Sequence, residues 1–232
     1  MSISKLVVFD IDGTLTHTNP LDHACFIAAV HQFISKDFVE FIPSWFTHFT
    51  DSCIIIELFE RYLHRSPTTA EERAFKTLYI EQLEQTLQEQ PSYFKPIDGA
   101  RAVLDALPAD WGVALATGCW QEAAEIKLRG GGIPVHNRPM ATASDALTRQ
   151  AVMQTAIQRA QAYYQVAAFE HVVYIGDGLW DKQSCADIEL PFVGIEQGNR
   201  NYQTGMLGDF HLLADYLDLP YFLELLGEAV AP

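Results

Sequence analysis

The 232-residue sequence predicts an α/β fold: a doubly wound parallel sheet whose first and second strands are separated by an inserted all-helical domain. Three observations carry this expectation. Short apolar runs without polar alternation recur along the chain, as in strands buried on both faces. Helical stripes lie between them. Residues 18 to 92, about 75 positions, show helical stripes only, which is too long for a crossover connection.

The strands are "KLVVFDI" (5–11), "WGVALAT" (111–117), "HVVYIGD" (171–177), "PFVGI" (191–195) and, more weakly, "DFHLLAD" (209–215). Ala100, Val103, Leu104 and Leu107 keep helical spacing, as do Met153, Ala156, Ile157 and Ala160. In the insertion, Ile55, Leu58, Phe59 and Tyr62 make one stripe. Phe75, Tyr79, Leu83 and Leu87 make another, after a capping box expected at Thr69 and Glu72. "THTNP" (16–20) and "YFKPIDG" (93–99) punctuate the edges, so the core takes 1–17 and 95–232 and the helical unit takes 18–94.

A net charge of −15 disfavours nucleic acid and anionic membranes as partners. No stretch approaches the roughly 20 apolar residues of a membrane span, and no signal peptide is evident. Cys25, Cys53, Cys119 and Cys185 form neither a Cys-x-x-Cys pair nor a zinc-ligand spacing, so reduced thiols in a soluble, cytoplasmic protein are expected. A monomer or homodimer is expected.

The chemistry concentrates at strand ends. Asp10 closes the first strand, and Asp12 lies two positions on, on the same side of an extended chain. Gly13 lets the chain turn at once. Asp177 ends a later strand, and Asp181 follows four residues on, on the same face of any helix that begins there. In open α/β sheets, ligands bind at the carboxyl ends of the strands. Four acids meeting there repel one another unless a hard cation sits among them, and an all-oxygen donor set favours Mg²⁺.

"DIDGTLT", then "LATG", then a basic residue, then "GDGLWD", in this order at strand ends, resembles the haloacid dehalogenase-like hydrolase superfamily, its phosphatase branch most closely. The resemblance implies a Rossmann-like core with a helical cap and a Mg²⁺-dependent phosphatase acting on a small phosphorylated metabolite. It implies Asp10 as nucleophile, forming an aspartyl-phosphate, and Asp12 as general acid/base. Thr117 and the backbone N–H of Gly118 are implied to hold the phosphoryl group. Asp177 is implied as a metal ligand with Asp10 and the backbone carbonyl of Asp12, supported by Asp181. A phosphomutase on the same fold, or a metal-binding regulatory module without catalysis, are the alternatives.

One position departs from the pattern. The family's usual cation is a lysine followed by proline, and no such pair stands at that place. Arg149 opens a helix there, with Thr148 as N-cap, 28 positions before Asp177. An arginine at a helix N-terminus suits a phosphate. Lys127, ten residues after Thr117, is the other candidate, expected as an exposed helical lysine. "RGGGIP" (129–134) reads as a helix stop rather than a phosphate loop, and Trp180 as packing beneath the crevice. From the insertion, the polar break "THFTDS" (47–52) is the loop expected to reach substrate, and among the histidines His17 and His48 are the candidates.

Overall fold

The computed structural model describes residues 3–40, 42, 45–134, 138–196 and 212–232. Six parallel strands form one sheet in the order β3-β2-β1-β4-β5-β6: β1 Lys5–Phe9, β2 Trp111–Ala116, β3 Met140–Ala141, β4 His171–Gly176, β5 Phe192–Ile195 and β6 Leu212–Leu213. Four of the five expected strands lie within the stretches read from sequence. Of the weakest, Leu212–Leu213 form β6, and residues 209–211 lie outside the described residues. β3 was not anticipated, because two residues make no apolar run.

The central strand shows why alternation was missing. Val7 and Phe9 pack into the apolar cluster on one face, and Leu6 and Val8 into the cluster on the other, so every residue after Lys5 is buried. Helices α6 (Arg149–Tyr164) and α7 (Leu179–Asp187) cover one face. On the other lie α4 (Ala100–Ala106), α5 (Gln121–Gly131) and α8 (Leu219–Glu228). Thr148 caps α6 as expected, accepting from Ala151 N at 3.2 Å. Gly132, at φ +62°, ends α5 as the glycine run suggested.

The insertion supplies α1 (Asn19–Phe33), α2 (Asp51–Leu63) and α3 (Thr69–Glu89). The capping box of α3 is Thr68 with Glu71, one residue earlier than expected. Two threonines followed by two glutamates offer the same spacing in both registers, and Arg65 selects the first by gripping Glu71 with two nitrogens. The insertion's two linkers run side by side. Thr16 bridges Pro96, His17 N donates to Lys95 O at 2.7 Å, and Ile97 N to Leu15 O at 2.9 Å.

Trp120, in the loop after β2, seats the insertion on the core. Its ring stacks on Phe26 at 6.1 Å and meets Phe75 and Tyr79 edge-on. These rings join the insertion to the sheet in one continuous cluster. Among the described residues no helix is long and apolar enough to cross a membrane.

Phe75 is fully buried against Phe26, Phe33 and Trp120. Phe75→Ala is therefore expected to cost about 3–5 kcal/mol of unfolding free energy. Urea midpoints at constant m-value measure it, and a loss under about 1 kcal/mol contradicts a packed seam between insertion and core.

Candidate active site

Register brings the site together. Phe9 pairs with Leu115 on β2 and with Ile175 on β4. The residues that follow, Asp10, Thr117 and Asp177, therefore leave the sheet at neighbouring positions. Asp10 N still donates to Ile175 O at 2.9 Å, and the chain then turns at Gly13, φ +73°. A Cβ on Gly13 would sit 1.8 Å from Asp177 Oδ2, so only glycine lets this turn lie against the second strand's acid.

Asp10, Asp177 and Asp181 are buried and present carboxylate oxygens within 4.8 Å of one another. Burial, with Asp181 and Asp12 adding to it against Arg149, pushes Asp10 up to about 8. Asp177 is pushed well above the usual range by burial and by Asp10, although Asn19 Nδ2 donates to its Oδ2 at 2.9 Å. Asp10 Oδ1 accepts no hydrogen bond and faces Arg149 Nη2 at 3.2 Å. Clustered buried carboxylates with oxygen to spare fit a hard divalent cation such as Mg²⁺.

Asp181 contributes mainly by bracing. It is the third residue of α7, and its Oδ2 accepts from Gly178 N at 3.0 Å. Its Oδ1 accepts from Arg149 Nε at 2.6 Å and Tyr174 Oη at 3.1 Å. The Asp12 carboxylate stands apart from the cluster: Thr18 Oγ1 donates to its Oδ1 at 2.5 Å, and Lys127 Nζ to its Oδ2 at 2.7 Å. The two acids of the opening motif thus share a cavity but not partners.

Arg149 lines the same cavity as Asp10. Besides Asp10 and Asp181, it donates from Nη1 to Phe49 O at 3.0 Å. A Cβ on Gly118 would meet that same Nη1 at 2.3 Å and Phe49 O at 2.5 Å, so the glycine makes room for the guanidinium. Lys127 corrects an expectation. It is fully buried, not exposed, and bridges Asp12 to Asp22 of α1, at 2.7 and 2.5 Å. The signal was present in its spacing: Trp120, Ala123, Ala124, Lys127 and Gly131 form one buried stripe, and Lys127 sits in its middle.

These groups surround a cavity of about 60 Å³ between the strand ends and the insertion. The core side contributes Asp10, Asp12, Thr117, Gly118 and Arg149, and Lys127 lies outside the lining. The insertion contributes Asn19, Asp22, His23, Phe26, Phe49, Asp51 and Ile54. The loop 47–52 does reach the cavity, but through Phe49 and Asp51. His48 and His17 are not in its lining. Trp180 lies at the cavity's edge rather than beneath it, stacked on Phe49 at 4.1 Å and 12°. Asn19, Asp22, His23 and Asp51 were missed: the first turns of α1 and α2 hold them, and no motif marks those turns.

Asp51 binds the insertion to the core. Its N donates to Gly118 O at 2.8 Å, and its Oδ2 accepts from Trp120 N at 2.9 Å. Burial first, then Asp22's charge, raise it to about 8, with Lys127 opposing. The folded protein therefore holds the proton more tightly than the unfolded chain, and stability falls as pH rises between about 4 and about 8. Asp51→Asn removes this dependence, so the variant is expected to gain on the native protein across that window in thermal-melt comparisons. A constant difference across it contradicts the raised carboxyl. Lys127→Met leaves two acids without their counter-charge and is expected to cost about 3 kcal/mol in denaturant unfolding. A loss near zero would show the lysine to be dispensable.

A family model described as haloacid dehalogenase-like hydrolase matches residues 4–188. No curated protein sequence matches the chain. Among solved structures, a hydrolase from Pseudomonas syringae is 19% identical with a TM-score of 0.71, covering 94% of this chain and 97% of that one. A putative beta-phosphoglucomutase from Bacteroides vulgatus is 18% identical with a TM-score of 0.69, covering 98% and 90%. A putative phosphoglycolate phosphatase from Lactobacillus plantarum is 19% identical with a TM-score of 0.60, covering 97% and 100%. At these identities the structures speak to the fold alone, while the family model spans most of the chain and both aspartate motifs: the chain belongs to the haloacid dehalogenase-like hydrolase family.

Proposed function

We propose that the protein is a Mg²⁺-dependent phosphatase that hydrolyses a small phosphate monoester through a phosphorylated Asp10. The observation that carries this reading is the convergence of Asp10, Asp12, Thr117, Gly118 and Arg149 on one cavity, with Asp177 and Asp181 against Asp10. Asp10 and Asp177, with Asp181 behind them and the Asp12 carbonyl beside them, would hold the metal, which supplies charge neutralisation for the phosphoryl oxygens.

The chain's own residues do the rest. An Asp10 oxygen attacks phosphorus, the bond from phosphorus to the ester oxygen breaks, and Asp12 gives its proton to the leaving oxygen. Water then attacks the same phosphorus. Asp12 takes the water's proton, the bond from phosphorus to Asp10 breaks, and phosphate leaves with the Asp10 carboxylate restored. Thr117 and the Gly118 N–H orient the phosphoryl group, and the Arg149 guanidinium, braced by Asp181, offsets its charge. The transition state is loose, so this positioning matters more than the weak nucleophilicity of a carboxylate. The inserted helices act as a cap that excludes bulk water and large substrates, in keeping with the 60 Å³ cavity.

Hydrolysis of p-nitrophenyl phosphate tests the reading. The native protein is expected to turn it over with Mg²⁺ and to stop when the metal is chelated. Asp10→Asn is expected to lose on the order of 10³-fold or more in kcat/KM. Equal turnover by the two proteins would remove the nucleophile from this mechanism.

A further inference from the structure

The cavity is charged in a way that the phosphatase reading leaves unused. Its phosphoryl end holds the one cation in the lining, Arg149, already engaged with Asp10, Asp181 and Phe49 O. Asp12, Asp22, Asp51 and His23 also line the cavity, and among the described lining residues there is no lysine and no other arginine. Lys127, behind the wall, pairs with Asp12 and Asp22 but not with Asp51. Burial, the largest influence on His23, lowers its pKa and disfavours a charged imidazole.

Asp51 is the group that asks for a ligand. It is 6% exposed and lines the cavity. One of its oxygens accepts from Trp120 N, and among the described residues the other has neither a hydrogen bond nor an ion pair. That oxygen is open to the cavity, where water or an entering ligand meets it. Phe26, Phe49 and Trp180 add aromatic rings to the lining.

We infer that the substrate is the phosphate ester of an amino alcohol, its leaving group carrying an ammonium that Asp51 and Asp22 receive. The inference rests on the phosphatase reading and adds the identity of the leaving group. A second phosphate or a carboxylate on the substrate would meet acids there and, among the described lining residues, no lysine or arginine besides Arg149. A neutral polyol would meet acceptors but leave their charge uncompensated. An ammonium beside Asp51 favours its ionised form and opposes the burial that raises it.

Three esters with the same two-carbon skeleton test this: phosphoethanolamine, 2-hydroxyethyl phosphate and phosphoglycolate, positive, neutral and negative at the far end. kcat/KM is measured for each with Mg²⁺, beside p-nitrophenyl phosphate. Phosphoethanolamine is expected to exceed the neutral ester by about tenfold or more, with phosphoglycolate lowest. Asp51→Asn is expected to reduce the ratio of phosphoethanolamine to 2-hydroxyethyl phosphate toward one, a change of preference that simple loss of folded protein does not produce. Equal or greater efficiency on the neutral or anionic ester overturns the inference, as does turnover of p-nitrophenyl phosphate with none of the three. Either result leaves the phosphatase reading in place. Failure on p-nitrophenyl phosphate as well falls on that reading and takes this one with it.

Discussion

The structure depends on tolerating like charge at the ends of two adjacent parallel strands. β1 and β4 each deliver an acid to the same crevice, and α7 returns a third. Nothing in the sheet's own packing favours this. Burial strips water from the carboxylates, and their mutual repulsion adds to the cost. What the fold provides in return is one arginine held by three contacts and an Asp10 oxygen that accepts no hydrogen bond. The fold accepts locally unfavourable electrostatics to keep a site poised for phosphoryl chemistry.

The legible parts were those dictated by backbone and periodicity. Strands buried on both faces must be apolar throughout, and β1, β2, β4 and β5 were read on that ground. Acids at such strand ends stand out because they interrupt an apolar run, and Arg149 stood out because a helix starts with it. The cavity's other wall was opaque. Asn19, Asp22, His23 and Asp51 reach it only because α1 and α2 pack with their first turns toward the sheet, a tertiary fact that no local pattern records. Lys127 was misread because its charge outweighed its place on a buried stripe. Its burial is permitted by two partners, both more than a hundred residues away in the sequence. The shift of the α3 cap by one residue came from Arg65, whose grip on Glu71 decides between two equivalent registers.

Apolar packing and polar chemistry meet at Trp120. Its ring holds Phe26, Phe75 and Tyr79 of the insertion, while its N–H groups reach Asp51 and Ser52 at the start of α2. One residue on the loop after β2 thus fixes both the seam and an acid of the cavity wall. Packing density in that seam limits how far the wall can shift without losing dispersion contacts.

The bridge from Lys127 to Asp12 and Asp22 ties the acid of the opening motif to the posture of α1. Lys127 belongs to the core and Asp22 to the insertion, so lifting α1 away strips the ammonium of one of its two anions and leaves Asp12 as its sole counter-ion. The grip on Asp12 then tightens, and its readiness to carry a proton falls. Through that single nitrogen an acid of the strand-end motif and the first helix of the insertion hold one another in place.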